Sequence, residues 1–437
     1  MARIRPPGSK SLTNRAILLA ALSSGKSLLR RPLLDAEDTE HMIATVAALG
    51  AAVSRTGEGN VEVTGTGGRW RAGAEQAFNL GNAGTTTRFV LASALLSPAP
   101  LTVDGNARMR ERPIGELVEA MEELGAQAQY LGARGYPPVR ITPPDRPPSA
   151  ASLTFPTTMS SQFISALMLV APFLPGGLTI HLEGKITSRS YIAMTLGLLD
   201  QLGVTVKSAD NFRIHRISTP TATLPGLDIE IEPDASSATP FWSAAAMFPG
   251  ASCRIEGLDH RSLQADAQFP ELLQRMGATV IRDDGDDGSP PMLGVRGTSN
   301  LAPIMADMSL MPDAAIPLAA VACFANGRSI LRGLKTLRVK ECDRIAAIQT
   351  ELARIGVRVE TNVLGDPDAI TITPPEGGVD CRSSVTPAVL SAHGDHRIAM
   401  MAGLIGLRRP GISVAGPAAV RKSYPNFWRD LGLVAGL

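Results

Sequence analysis

Glu116-Leu117-Val118-Glu119-Ala120-Met121-Glu122-Glu123-Leu124-Gly125-Ala126 reads as a helix followed by its stop signal. Apolar residues at 117, 120, 121 and 124 share one face of a 3.6-residue period. Gly125 stands where a helix ends in the left-handed region that a β-carbon disfavours. The same phrase closes five other helical patterns, at Leu49-Gly50-Ala51, Leu202-Gly203-Val204, Met276-Gly277-Ala278, Ile355-Gly356-Val357 and Leu431-Gly432-Leu433, with successive glycines 74 to 79 residues apart. Short alternating strands are predicted after these glycines, as in Val61-Glu62-Val63-Thr64 and Ile370-Thr371-Ile372-Thr373. Each period also holds a second, more apolar helix before a Gly-led strand, such as 163–173 before Gly177-Leu178-Thr179-Ile180 and 314–324 before Gly327-Arg328-Ser329-Ile330. Six units of about 75 residues are too long for a solenoid, and a closed α/β barrel needs eight shorter ones. The expected fold is therefore α/β in two lobes of three units each, with apolar helices inside and amphipathic ones outside. The run from Thr219 to Gly226, rich in Thr and Pro, is the expected boundary.

The chain has 437 residues, 42 basic and 41 acidic, so its net charge of +1 gives no steering toward nucleic acid or an anionic membrane. Aromatic residues are 4%, too few for a base-stacking surface. Cys253, Cys323, Cys342 and Cys381 show no paired spacing, which argues against a disulfide framework or zinc cluster. The first residues carry no apolar run resembling a signal peptide. A soluble, cytoplasmic, unprocessed monomer without nucleic-acid or membrane partners is expected. Any anion must be held locally, and the polar residues gather where helices begin. The apolar helices open on Ser9-Lys10-Ser11, Asn82-Ala83-Gly84-Thr85, Ser160-Ser161-Gln162, Asp234-Ala235-Ser236, Pro312-Asp313-Ala314 and Asp395-His396-Arg397. The amphipathic ones open on Glu111-Arg112-Pro113, Ser188-Arg189-Ser190-Tyr191, Lys340-Glu341-Cys342-Asp343-Arg344 and Arg421-Lys422-Ser423.

Ser, Asp and Asn there are first of all N-caps. Lysine or arginine at a helix start opposes the helix dipole unless an anion arrives. Three of only seven lysines, Lys10, Lys340 and Lys422, stand at such starts. Familiar motifs fail inspection. Gly25-Lys26-Ser27 lacks the first glycine of a P-loop, and Gly65-Thr66-Gly67-Gly68 lacks the third glycine of a dinucleotide fingerprint. The run from Asp283 to Gly288 lacks the closing glutamate of a calcium loop. The last two are read as hairpin turns. His393 and His396 with Asp395 lack a third metal ligand. Cys342, between Lys340 and Arg344, is read as a small buried filler rather than a reactive thiolate.

The blocks Pro7-Gly8-Ser9-Lys10-Ser11 with Asn14-Arg15, Leu80-Gly81-Asn82-Ala83-Gly84-Thr85, Arg110-Glu111-Arg112-Pro113-Ile114-Gly115, Ser160-Ser161-Gln162-Phe163, Pro312-Asp313-Ala314-Ala315, Arg338-Val339-Lys340-Glu341-Cys342-Asp343-Arg344 and Asp395-His396-Arg397 resemble, in order, those of the 5-enolpyruvylshikimate-3-phosphate synthases. That resemblance implies a two-lobed inverse α/β barrel of six βαβαββ repeats joined by two crossovers. The lobes would be residues 9–232, and 233–437 completed by 1–8. It implies transfer of an enolpyruvyl group from phosphoenolpyruvate to the 5-hydroxyl of shikimate 3-phosphate, releasing phosphate, with no metal or organic cofactor.

Carried over residue by residue, Lys10, Ser11, Arg15, Ser160, Ser161, Gln162, Ser188, Tyr191, Asp313 and Lys340 would hold shikimate 3-phosphate. Phosphoenolpyruvate would sit among Lys10, Asn82, Gly84, Thr85, Arg112, Gln162, Arg344, His396, Arg397 and Lys422. Asp313 would take the hydroxyl proton, Glu341 would protonate the methylene carbon and later reverse this, and Lys10 would serve the bridging oxygen. The resemblance also implies that glyphosate competes for the phosphoenolpyruvate site, with Gly84 leaving it room. Thr336 stands where many members have a substrate-binding asparagine, and Phe89 where many have proline. A sister transferase acting on UDP-N-acetylglucosamine uses a cysteine loop, and residues 104–115 hold no cysteine. A non-catalytic anion-binding repeat protein would leave Asp313 and Glu341 without a purpose.

Overall fold

The structure, a computed structural model, describes residues 1–156, 159–218, 223–285 and 288–435. The described chain is mixed α/β and divides into two compact units, Gly8–Ile231 and Glu232–Leu437 with Met1–Pro7.

The unit Gly8–Ile231 holds three four-stranded sheets of one plan. Their strand orders are Asp228–Glu230, Lys26–Arg30, Val61–Thr64, Ala52–Arg55; then Gln76–Asn79, Leu101–Asp104, Val139–Thr142, Gln127–Tyr130; then Ala151–Phe155, Leu178–Leu182, Ile214–Ser218, Thr205–Ala209. In each the first pair is parallel and the others antiparallel. A parallel pair needs a long crossover. Helix Gly84–Ser93 supplies it in the second sheet and Ser161–Val170 in the third. These two pack against each other and against Lys10–Leu22. Residues 12–22 of that last helix are all buried, so its stretch 16–22 is apolar on every side while Thr13, Asn14 and Arg15 are buried polar residues near its start.

The first sheet is completed from far along the chain, because Asp228–Glu230 pairs with residues 28–30. Ser24 and Leu28 already donate to the carbonyls of Leu224 and Leu227. The chain is thus bound to this unit until Ile231, and the division falls beyond the expected run, of which residues 219–222 lie outside the described residues.

The other unit is built alike. Its sheets run Ala2–Ile4, Ser252–Glu256, Met292–Arg296, Thr279–Asp283; then Met305–Asp307, Ser329–Arg332, Asp366–Thr373, Arg358–Val363; then a two-stranded sheet of Ala388–Ser391 with Ile412–Ala415. The first strand comes from the chain's opening residues, parallel to residues 253–255. Helices Ala235–Ala246, Ala315–Ala322 and His396–Arg408 form the core, with Phe241, Trp242, Tyr424 and Phe427 buried among them.

Gly125, with φ +92°, ends its helix in the left-handed region as its place in the period requires, and Gly50, Gly203, Gly277 and Gly356 also have positive φ. Gly432 does not follow this rule. It lies inside helix Phe427–Ala435. Residues 65–68 are likewise no hairpin. They leave strand Val61–Thr64 and cross the end of helix Lys10–Leu22, where Thr66 and Gly68 donate to the carbonyls of Ala21 and Leu22. The Asp283–Gly288 run does fall in the connection between the antiparallel strands Thr279–Asp283 and Met292–Arg296, with residues 286 and 287 outside the described set. Among the described residues no helix is long and apolar enough to cross a membrane.

Candidate active site

In the unit Gly8–Ile231 the helix starts meet through short polar contacts. Ser9 caps Lys10–Leu22 and Ser160 caps Ser161–Val170. Gln162 Nε2 donates to Thr85 Oγ1 at 3.1 Å, and Thr86 Oγ1 lies 3.4 Å from Asn14 Oδ1. Lys10, the first residue of its helix, pairs at 3.1 Å with Asp38, a buried carboxylate in the acidic first turn of Glu37–Ala48. Asp38 thus compensates a lysine placed where the helix dipole repels it. Arg112 donates to the side-chain oxygen of Asn82 at 3.0 Å and to its carbonyl at 3.2 Å, and its guanidinium lies over Gly84.

Arg15 is buried and fully engaged. It donates to Thr195 Oγ1 (2.9 Å), the Ser11 carbonyl (2.9 Å), Ser165 Oγ (3.3 Å) and the Tyr191 carbonyl (3.4 Å), and it stacks on the Phe89 ring. Burial pulls its guanidinium down to about 10. Phe89 therefore acts as the aromatic floor for Arg15. Tyr191 contributes its carbonyl, which also accepts from Thr195 at 2.8 Å. Ser188 precedes helix Arg189–Gln201 with φ +49°, and its side chain does not cap that helix. Ser161 is buried beside its capping neighbour Ser160.

In the other unit the centre is Arg344, first residue of helix Arg344–Ala353 and almost inaccessible. Its Nε donates to Asp395 Oδ2 at 2.7 Å, Nη1 to Asp313 Oδ1 at 2.8 Å, and Nη2 to Glu341 Oε2 at 2.9 Å and Asp395 Oδ1 at 3.2 Å. Burial opposes its charge, but Asp395, Glu341 and Asp313 together raise its pKa well above the usual arginine value. Asp313, in the 3-10 turn Pro312–Ala314, also lies 3.4 Å from both Lys340 Nζ and Arg397 Nε. Burial would favour its neutral form, yet Lys340, Arg344 and Arg397 hold it far below the ordinary carboxylate range. Glu341 lies between Arg344 and Lys422, whose Nζ is 3.2 Å from Oε1. Asp395 caps His396–Arg408 through the Arg397 N–H and sits against Arg344, with His396 buried next to it. Arg397 also donates to the Ser236 carbonyl at 3.3 Å.

Ser236 Oγ in turn donates at 2.6 Å to Asp266, a carboxyl that burial pushes up to about 6. The half-buried Cys342 thiol packs against the core and is pushed up to about 12 by burial and by Asp395, which argues against a reactive thiolate. Thr336 Oγ1 is buried with no hydrogen-bond partner among the described residues. Among the described residues no group of three or more metal-ligating side chains occurs.

A chain with carboxylates and cations so interleaved suits a reaction of anionic substrates that moves protons. The EPSP synthase (3-phosphoshikimate 1-carboxyvinyltransferase) family model matches residues 1–431. The chain belongs to that family. Members named 3-phosphoshikimate 1-carboxyvinyltransferase are 36% identical in Shewanella baltica, over 99% of this chain and 96% of that one, and 38% identical in Burkholderia lata with the same coverage. The EPSP synthase of Acinetobacter baumannii superposes with a TM-score of 0.79 at 26% identity, over 99% of this chain and 95% of that one. The enolpyruvyl transferase NikO of Streptomyces tendae shares the fold, with a TM-score of 0.74 at 18% identity, over 99% of this chain and 94% of that one. This member of the EPSP synthase family is accordingly a transferase with a mixed α/β fold.

Sequence reasoning passed over Asp395 and Asp38 as site residues. Asp395 was read only in the helix opening Asp395-His396-Arg397 and beside two histidines that lack a third metal ligand, and Asp38, which the structure places with Glu37 and Glu40 in a helix's first turn, was not singled out. Their partners Arg344 and Lys10 are 51 and 28 positions away, a distance that helical periodicity does not span.

Proposed function

We propose that this chain transfers the enolpyruvyl group of phosphoenolpyruvate to the 5-hydroxyl of shikimate 3-phosphate by addition and elimination, and that its architecture is a two-lobed inverse α/β barrel of six repeats, five of them βαβαββ and the sixth, among the described residues, lacking the closing pair of strands. The observation carrying the chemistry is the set of buried carboxylates Asp313 and Glu341, each held by two or more cations. Lys10, Ser11, Arg15, Ser160, Ser161, Gln162, Ser188, Tyr191, Asp313 and Lys340 serve shikimate 3-phosphate. Arg15 and Tyr191 do so chiefly by shaping the helix starts around Ser11, given their mutual hydrogen bonds. Asn82, Gly84, Thr85, Arg112, Arg344, His396, Arg397 and Lys422 serve phosphoenolpyruvate together with Lys10 and Gln162.

In the addition, Asp313 takes the 5-hydroxyl proton as the oxygen attacks C2 of phosphoenolpyruvate, and Glu341 delivers a proton to C3. The product is a tetrahedral adduct still bearing phosphate. In the elimination, Glu341 takes a proton back from C3, the C2–O bond to phosphate breaks, and Lys10 supplies charge or a proton to the departing oxygen. Incoming carboxylate and phosphate groups compete with Asp313 and Glu341 for Arg344, Arg397 and Lys422. A carboxylate relieved of its cations accepts a proton more readily. The test is phosphate release from phosphoenolpyruvate with shikimate 3-phosphate as acceptor, against UDP-N-acetylglucosamine. Release with the nucleotide sugar alone would replace this reading by that of the sister transferase.

A further inference from the structure

Helix Arg344–Ala353 grips the segment 391–395 twice. At its start, Arg344 holds Asp395. Seven residues on, about 10 Å along the axis, Glu351 accepts the Ser391 N–H at 2.9 Å on Oε2 and faces His393 Nε2 at 2.7 Å on Oε1. The Glu351 side chain is wholly buried, with Arg354 Nε 3.1 Å from Oε2. The His393 tautomer with its hydrogen on Nε2 satisfies this contact by donating to the Glu351 oxygen. His393 also donates its backbone N–H to Ser391 Oγ at 3.1 Å. Its φ is +51°, a left-handed conformation in which glycine would be unstrained. The exposed His393 is thus bent out of its preferred backbone conformation with its ring on a buried carboxylate, two residues before Asp395.

We propose that His393, acting through Glu351, is a positioning residue that fixes where the helix start Asp395-His396-Arg397 stands relative to Arg344. The proposal rests on the reading above in which Arg344, His396 and Arg397 hold phosphoenolpyruvate. Neither His393 nor Glu351 touches the substrate in this reading. Their effect is to remove the freedom of residues 391–395, which lead directly into the two ligand-binding groups His396 and Arg397, and small displacements of such groups are costly.

The experiment compares His393→Gly, His393→Asn and His393→Gln by steady-state kinetics. Gly and Asn both tolerate the left-handed backbone, but neither reaches Glu351. Gln is less at ease there but places an amide N–H near the position of Nε2. Gly and Asn should each raise the KM for phosphoenolpyruvate by about fivefold or more, with kcat and the KM for shikimate 3-phosphate changed by less than about twofold. Gln should restore most of the loss. Unchanged KM in the Gly and Asn variants, or equal behaviour of Asn and Gln, would overturn the proposal. Arg397→Lys, measured in parallel, separates the two levels: if it leaves the KM for phosphoenolpyruvate unchanged, it is the assignment of Arg397 that fails.

Discussion

A β-carbon built on Gly84 would stand 2.2 Å from Nη2 of Arg112 and 2.5 Å from its Cζ. The methyl group of an alanine would therefore not point into open ligand space. It would push aside the guanidinium that Asn82 holds in place. Because the obstructing atoms end a flexible side chain, the backbone need not move and the protein should fold.

Gly84→Ala is thus expected to act through Arg112. Glyphosate inhibition should weaken by about tenfold or more and the KM for phosphoenolpyruvate should rise less, one displaced charge-assisted contact being worth about 1.5–3 kcal/mol. In an Arg112→Ala background the Gly84→Ala change should have little further effect, because its target is gone. Additive effects in the double variant would show that the methyl group meets the ligand itself.

Asp313→Asn should lower kcat by about 10²–10⁴, the range for loss of a positioned acid or base. Asn leaves Lys340, Arg344 and Arg397 with one carboxylate fewer, so phosphoenolpyruvate binding should hold or tighten. Steady-state kinetics beside direct binding of each substrate tests this, and near-normal turnover would remove Asp313 from the role of base.

Glu341→Gln should also damage turnover more than binding, since the amide keeps the shape between Arg344 and Lys422 but carries no transferable acid proton. Solvent-deuterium incorporation into C3 of phosphoenolpyruvate reports the step directly. Undiminished incorporation in the Gln variant would assign the carbon acid elsewhere.

Asp266 provides a stability test. Its folded pKa is raised to about 6 by burial, against about 3.9 for an unfolded aspartate. The folded state therefore binds the extra proton, and this contribution is complete below about pH 4 and lost as pH rises through about 6. Two units correspond to about 3 kcal/mol. Asp266→Asn cannot titrate, so its melting temperature should gain on the wild type between pH 4 and pH 7. Parallel melting curves across that range would place Asp266 in a different environment.

Cys342→Ser should retain activity, because the thiol is neutral and the proposed adduct forms between the substrates. Intact-mass measurement during turnover should show no pyruvyl group on the protein. A stable adduct at Cys342 would contradict the addition and elimination between substrates.

Much of the fold was legible because local physics repeats. Gly125 and its counterparts at 50, 203, 277 and 356 end helices for a steric reason that needs no partner, and buried helices such as Ala315–Ala322 announce themselves by being apolar on all sides. Gly432 broke the pattern because it lies inside helix Phe427–Ala435, where an interior glycine costs only about 1 kcal/mol and does not by itself end the helix. The candidate site residues were legible as types, a lysine or arginine at a helix start being electrostatically unsatisfied until something anionic is supplied. What supplies it was not legible. Lys10 meets Asp38, Arg344 meets Asp313, Glu341 and Asp395 together, and Arg112 covers Gly84. Most of these pairings join residues far apart in the chain, and they arise when sheets completed from distant segments, Asp228–Glu230 on Lys26–Arg30 and Ala2–Ile4 on Ser252–Glu256, close each unit. Local sequence specifies which backbone conformations and faces are cheap; long-range packing specifies which charges share a buried space, and with them the protonation state of each.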